Sequence, residues 1–392
     1  MRFPEFEGEW EEKKLGEICK FVRGPFGSAL KKEFFINDGY AVYEQSHAIH
    51  NNFDSFRYYI SEEKFNSLRR FSVEPKDIIM SCSGTMGKFA IIPEKSKKGV
   101  INQALLKLTS KENFNHKFIK IALELPQIQN KLLSQSAGGA IKNVVGIPQL
   151  KEIGLYIPKP IEQNKIASFL SLIDQRIETQ NKIIEKYESL IKGIMDFHFK
   201  KSRRNVFFIK ELGEYFNVMN LSKGDLSDNG KECILYGELF TTYGCVINEV
   251  KSRTTKDNCK LTLSSRNDLL FPSSTTVDAY SLISPSAILK EDIILGGDMF
   301  GIHINENFNN EYLSYLFNYI YKQELAKYAK GSTIIHLHYN EIRNAKIEIP
   351  SLEEQRKSVK VLRLLQEKII IEKCLLQTSV KQKEYLLQQM FI

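Results

Sequence analysis

The chain has 392 residues, 42% hydrophobic and 26% charged, with a formal net charge of +8. It is too long for one compact domain and too apolar for wholesale disorder, so two or three cored domains are expected. No apolar run reaches the roughly 18 residues that a membrane crossing needs, and the positive balance suits a polyanionic partner without requiring one.

The opening residues, Met1 to Trp10, are acidic and aromatic, unlike the basic-then-apolar order of a signal peptide. Six cysteines (Cys19, Cys82, Cys233, Cys245, Cys259, Cys374) show no C-x-x-C spacing and read as reduced thiols of a cytoplasmic protein. From 1 to 158, short β-rich runs such as Asp77 to Ser81, Phe89 to Ile92 and Leu105 to Leu108 alternate with Gly, Ser, Asn and Pro breaks. Helical periodicity comes late, near Phe118 to Leu125, so this stretch is predicted to be an α+β domain. A long helix is predicted over 160–198, within a spacer segment 159–200. Pro160 suits its first position, where a missing N–H costs nothing. Ile166, Leu170, Ile173, Ile177, Ile184, Tyr187, Ile191 and Ile194 follow steps of four and three, broken only by Gln180, which is the stripe of a coiled-coil seam.

The α+β pattern returns over 201–350, with helical periodicity near Tyr312 to Tyr319. A second long helix is predicted over 351–390, within a segment 351–392, and Ser351 with Glu354 forms a capping box at its start. Val359, Leu362, Ile369, Leu376, Val380 and Leu387 keep its phase, while Gln366, Lys373 and Lys383 interrupt. Leu365, Ile370, Leu375 and Leu386 widen the stripe, as if this helix touched more than one partner.

The two halves are copies. Gly139 to Pro158 lies over Gly331 to Pro350 at an offset of 192, and Glu162-Gln163 falls on Glu354-Gln355. Leu15-Gly16-Glu17 matches Leu212-Gly213-Glu214, Tyr43 matches Tyr236, Asp77-Ile78-Ile79 matches Asp268-Leu269-Leu270, and Asn113-Phe114-Asn115 matches Asn307-Phe308-Asn309. Ordered matches at a nearly constant offset define a duplicated unit, far too long for a solenoid repeat. If the first helix carries the chain outward, the second must carry it back, so the helices are predicted to be antiparallel about a pseudo-two-fold axis. A helix of 38 residues is about 57 Å long, against about 34 Å for one turn of DNA, so the helices are the right size for a ruler.

Two such domains alternating with two long helices, each helix entered through an I-P-x-x-E-Q type segment (Ile157-Pro158-Lys159-Pro160-Ile161-Glu162-Gln163 and Ile349-Pro350-Ser351-Leu352-Glu353-Glu354-Gln355), resemble the specificity subunit of type I restriction–modification enzymes. Trp10 with Lys14-Leu15-Gly16-Glu17-Ile18, and Ser83-Gly84-Thr85 after the Asp77 strand, add to the resemblance. It implies two target recognition domains, each reading one half of a split double-stranded DNA target. It also implies two methyltransferase subunits docked on the helices and restriction translocase–nuclease subunits in the larger complex. S-adenosylmethionine, ATP and Mg²⁺ would then belong to those partners, and none to this chain.

The residues agree with a binding role. There is no N/D-P-P-Y/F loop, Gly84-Thr85-Met86-Gly87-Lys88 has the wrong spacing for a P-loop, and no P-D dipeptide occurs. His336-x-His338 lacks a third ligand at metal spacing, so neither a catalytic nor a metal site is expected. Phosphates and base edges call for basic and small polar residues on exposed loops. In the first domain these are Arg23, Gly24, Ser83, Thr85, Lys88, Lys142 and Asn143; in the second, Arg253, Lys256, Ser274, Thr276, Lys330, Ser332 and His336. Ile166, Leu170, Ile173, Ile177, Ile184, Ile191, Leu362, Ile369 and Leu376 are the expected helix–helix and partner interface. Two other readings fit the same sequence: a fused DNA-modifying enzyme with an unfamiliar active site, and a coiled-coil scaffold.

Overall fold

The computed structural model describes residues 2–133, 146–219, 221–256 and 261–391. The chain divides into two compact units, Met1–Thr179 with Leu376–Ile392, and Gln180–Leu375. Each unit holds one α+β globular part and half of each of two long helices. These helices run Pro160–Lys201 and Leu352–Met390. Pro160 opens the first, and His198, Lys200 and Lys201 in its last turn face the negative end of the helix dipole. Ser351 caps the second, accepting from the Glu354 N–H at 3.4 Å, with Glu353 and Glu354 in the first turn.

In the first unit Ile166 and Leu170 are buried in one cluster with Leu386, Met390 and Phe391, while further along Asp174 meets Lys383, so the two helix halves run antiparallel. In the second unit Ile184, Ile191, Val359, Leu362 and Ile369 are buried, and Gln180 donates to Glu372. The heptad reading of the second helix needs correction. Val380 is exposed and Ser379 is buried beside it, so the inward row continues as Ser379, Lys383, Leu386 and Met390, one residue out of the expected phase. Gln180 and Lys383, read as interruptions, face inward with polar partners. Leu386 belongs to the core, whereas Ile370 and Leu375 stay exposed.

The first globular part has two four-stranded sheets. One orders Cys19–Arg23, Leu105–Ser110, Ile78–Ser81 and Phe89–Ile91; the other orders Phe35–Ile36, Tyr59–Ile60, Tyr40–Tyr43 and Gly99–Ile101. A further antiparallel pair joins Glu11–Lys14 to Gly154–Ile157 just before the long helix. The second part has two five-stranded sheets and the corresponding pair, Arg204–Phe208 with Lys346–Pro350. Strands such as Ile78–Ser81 and Asp268–Pro272 are buried on both faces, which explains why they read as unbroken apolar runs.

Hydrogen bonds fix the equivalence of the two copies. Asp77 accepts from the Glu74 N–H at 2.9 Å, as Asp268 does from the Ser265 N–H at 2.8 Å. Asn115 and Asn309 each cap the helix that follows, His116–Glu124 and Asn310–Tyr319. The Leu-Gly-Glu match is displaced. Glu17 bonds the Lys14 N–H as Glu211 bonds the Phe208 N–H, and the Lys111 N–H reaches the Ile18 carbonyl as the Asn305 N–H reaches that of Leu212. Leu15 therefore corresponds to Ile209 and Ile18 to Leu212; the shared letters at Leu212-Gly213-Glu214 sit three residues off.

The most consistent repeated feature is a buried glutamine. Gln163 accepts from the Asn115 N–H at 2.8 Å and donates to the Pro158 carbonyl at 2.8 Å. Gln355 accepts from the Asn309 N–H at 2.8 Å and donates to the Pro350 carbonyl at 2.9 Å. Each side chain is 1% exposed. The Glu-Gln dipeptide of the sequence motif thus supplies the amide that ties the long helix to the preceding strand and to the capped helix of its own domain.

Candidate nucleic-acid interface

In the first unit four backbone turns converge at one end of both sheets. Strand Cys19–Arg23 leaves at Arg23, whose successor Gly24 donates its N–H to the Leu105 carbonyl at 2.9 Å. A Cβ at Gly24 would lie 1.8 Å from the Asn102 carbonyl oxygen, so only glycine fits this approach. The Cys82 N–H bonds Ala104, the Asn102 N–H bonds Tyr43, and the Gly87 N–H returns to Ser81, closing the 82–88 loop. Arg23, Ser83, Thr85 and Lys88 are exposed on this end. The Arg23 guanidinium lies beside the Cys82 thiol, which burial nonetheless pushes up to about 11. Phe26, two residues beyond Gly24, is 91% exposed, an unusual place for a large apolar ring.

Two residues that sequence reasoning missed join this cluster. Ser83 donates its hydroxyl to the Gln45 side-chain oxygen at 3.0 Å, and Asn102 turns its own side-chain oxygen to the Ala104 N–H at 3.0 Å. Neither lies in a glycine-bearing basic loop, so nothing in the local sequence marked them. Lys142 and Asn143 lie outside the described residues.

The second unit builds a related end with different parts. Ser274–Thr275 pairs with Ile335–His336, with Ser274 opposite His336. The Ser273 N–H bonds the Asp298 carbonyl, and the Leu337 N–H bonds Ser273. Thr276, Lys330, Ser332 and the partly exposed His336 are grouped here. Gly331 adopts φ +125°, and a Cβ there would meet the Ile334 carbonyl oxygen at 2.0 Å, so this turn also demands glycine. Three of the expected residues stand apart from this group. Ser274 is 7% exposed in the strand pair, which leaves Thr276 and the 72% exposed Val277 as the outer part of that loop. Arg253 and Lys256 sit elsewhere: Arg253 lies opposite Glu232, toward the start of strand Lys231–Leu235, and bonds the Gly230 carbonyl at 2.9 Å. Lys256 pairs with Asp225 at 3.1 Å. That carboxylate is held at about 2, chiefly by the Ser222 N–H and hydroxyl and then by Lys256.

Among the described residues no group of three or more His, Cys, Asp or Glu could hold a metal ion. His336 and His338 stack with ring centroids 5.9 Å apart, and His336 lies 3.9 Å from Asp298. Asp268 and His303 form the other close acid–imidazole pair, at 2.5 Å; burial pushes the Asp268 carboxyl up while the Ser265 N–H and His303 pull it down. Its equivalent, Asp77, receives the Thr109 hydroxyl instead, so both carboxylates are held within the sheets. No described helix is long and apolar enough to cross a membrane.

Comparison with known proteins returns the same two-part pattern. The model of the type I restriction modification DNA specificity domain matches residues 7–189 and again 202–382. The type I restriction enzyme MjaVIII specificity subunit of Methanocaldococcus jannaschii is 24% identical over 402 residues, covering 95% of this chain and 89% of that protein. The putative type I restriction enzyme MjaX specificity subunit of the same organism is 23% identical over 395 residues, covering 94% and 89%. The crystal structure of the type I restriction–modification S subunit from M. genitalium superposes with a TM-score of 0.63 at 18% identity, over 100% of this chain and 99% of that one, and so shares its fold. With one match on each half, the chain belongs to the type I restriction modification DNA specificity family, as a non-catalytic specificity subunit of a restriction–modification complex.

Proposed function

We propose that each unit reads one half of a bipartite double-stranded DNA target through the loop cluster at one end of its sheets, and that the two long helices set the unread spacer. The observation that carries this reading is the recurrence of the cluster. In both copies the loop that leaves an equivalent strand, after Ile78–Ser81 and after Asp268–Pro272, carries exposed hydroxyl residues, and basic side chains stand near a glycine that allows close backbone approach, Gly24 in the first and Gly331 in the second. Arg23, Ser83, Thr85 and Lys88 act in the first unit, and Thr276, Lys330, Ser332 and His336 in the second. Lysine and arginine meet phosphates, while the planar and hydroxyl groups meet base edges.

Two methyltransferase subunits dock on the helices in this reading, and translocase–nuclease subunits complete the assembly in the cytoplasm. The exposed Val361, Leu364, Ile371 and Leu375 on the second long helix support such docking, since the seam between the helices does not use them. S-adenosylmethionine, ATP and Mg²⁺ belong to those partners. Replacing residues 1–158 by the matching segment of another family member tests the division of labour: one half of the methylated target should change and the other should stay. A change in both halves, or in neither, would contradict it. A bare scaffold would also lack the steep salt dependence of DNA binding that phosphate neutralisation produces.

A further inference from the structure

We propose that Gln45 is a specificity-determining residue of the first unit, presenting its amide NH₂ to a hydrogen-bond acceptor on a base edge; this rests on reading the loop cluster as the DNA interface. Gln45 is the first residue of the short helix Gln45–His50, which leaves strand Tyr40–Tyr43 at the end where Arg23 and the 82–88 loop emerge. Its base is rigid. The Glu44 N–H bonds the His47 ring at 2.9 Å, and that ring is buried and stacks on Phe56 with centroids 4.8 Å apart.

The amide itself is oriented. Ser83 donates to Oε1 at 3.0 Å, which engages the acceptor, and among the described residues Nε2 has no partner. Gly84, at φ +59°, runs against the same amide, and a Cβ there would stand 3.5 Å from Nε2. A partly buried amide with its oxygen occupied and both N–H donors free is suited to guanine N7 or O6, adenine N7 or thymine O4.

The second unit does not repeat this device. In the corresponding short helix, Glu238–Thr241, Glu238 bonds the Leu235 N–H at 2.8 Å as the His47 ring bonds the Glu44 N–H, so Glu238 stands where His47 does and Gln45 falls on Tyr236, which has no side-chain amide to present. Where the first unit carries Gln45 the second thus carries Tyr236, so the two readers differ at that position.

The test is the methylated motif, mapped by sequencing DNA from cells that express the full chain with its methyltransferase subunits. Gln45→Leu should weaken discrimination at one base pair of one half-site by roughly ten-fold or more, with the other half-site unchanged. Gln45→Glu, which offers acceptors only, should shift preference at that pair toward cytosine N4 or adenine N6 donors. Ser83→Ala frees the amide to rotate and should relax the same position without moving any other. Variant complexes that keep the unaltered half-site and the wild-type selectivity at every position would overturn the role of Gln45 alone. A wild-type complex that methylates no split motif would overturn the interface reading beneath it.

Discussion

Replacing Gln163 by leucine removes the most consistent contact between a long helix and its domain while keeping nearly the same volume. The substitution leaves the Asn115 N–H and the Pro158 carbonyl without the partners they now have at 2.8 Å each. The side chain is 1% exposed and Pro158 is buried, so water cannot replace the lost bond to that carbonyl without opening the junction. An unsatisfied buried group costs about 1–3 kcal/mol. Allowing for partial hydration of Asn115, the loss sums to about 2–4 kcal/mol. Trp10, the only tryptophan of the chain, packs against Phe118 and Phe391 in the first unit, so its fluorescence reports that unit during urea denaturation. With a urea slope of about 2 kcal/mol/M, the midpoint should fall by about 1–2 M. Gln175→Leu, at an exposed position on the same helix, should stay within about 0.5 kcal/mol. An equally small effect of Gln163→Leu would refute the argument that this amide locks helix to domain.

Gln180→Leu replaces a buried polar group in the helix seam and leaves Glu372 partly exposed to water, so thermal unfolding should show a gain of roughly 1 kcal/mol; a loss would mean that the Gln180–Glu372 bond outweighs its desolvation. Ile191→Ala, at 0% exposure, should cost about 2–4 kcal/mol in the second unit, and Ile177→Ala, only partly buried, clearly less; equal costs would contradict the assigned seam. The Asp225 carboxyl should titrate near 2 by NMR, with its contribution to stability present above its ordinary value near 4 and lost as pH falls through about 2. Ser222→Ala removes the hydroxyl but keeps the N–H, so the midpoint should rise only part of the way, and an unchanged midpoint would remove the hydroxyl from the causes.

The duplication and both long helices were legible because periodicity and repeated order are properties of the sequence itself. Register was less so. The Leu-Gly-Glu letters recur three residues away from the true equivalence, which shows only in the Glu17 and Glu211 bonds to backbone N–H groups. Seam phase failed at Val380 for a similar reason: a serine at 379 gives no hydrophobic signal, yet it is buried. The loop clusters were half visible. Glycine-bearing basic loops identified Arg23, Ser83 and Lys330, but adjacency in sequence could not tell which end of a sheet Arg253 occupies, nor that Ser274 pairs inward with His336. Gln45 was invisible because its partner, Ser83, is 38 residues away.

The measurement closest to the central claim is the methylation map of a genome in cells that carry the chain together with its methyltransferase subunits. Two-domain reading predicts a motif of two short defined sequences separated by a gap of fixed length and free composition, absent when the chain is deleted. A single uninterrupted motif, or a split motif that persists without this chain, would contradict it.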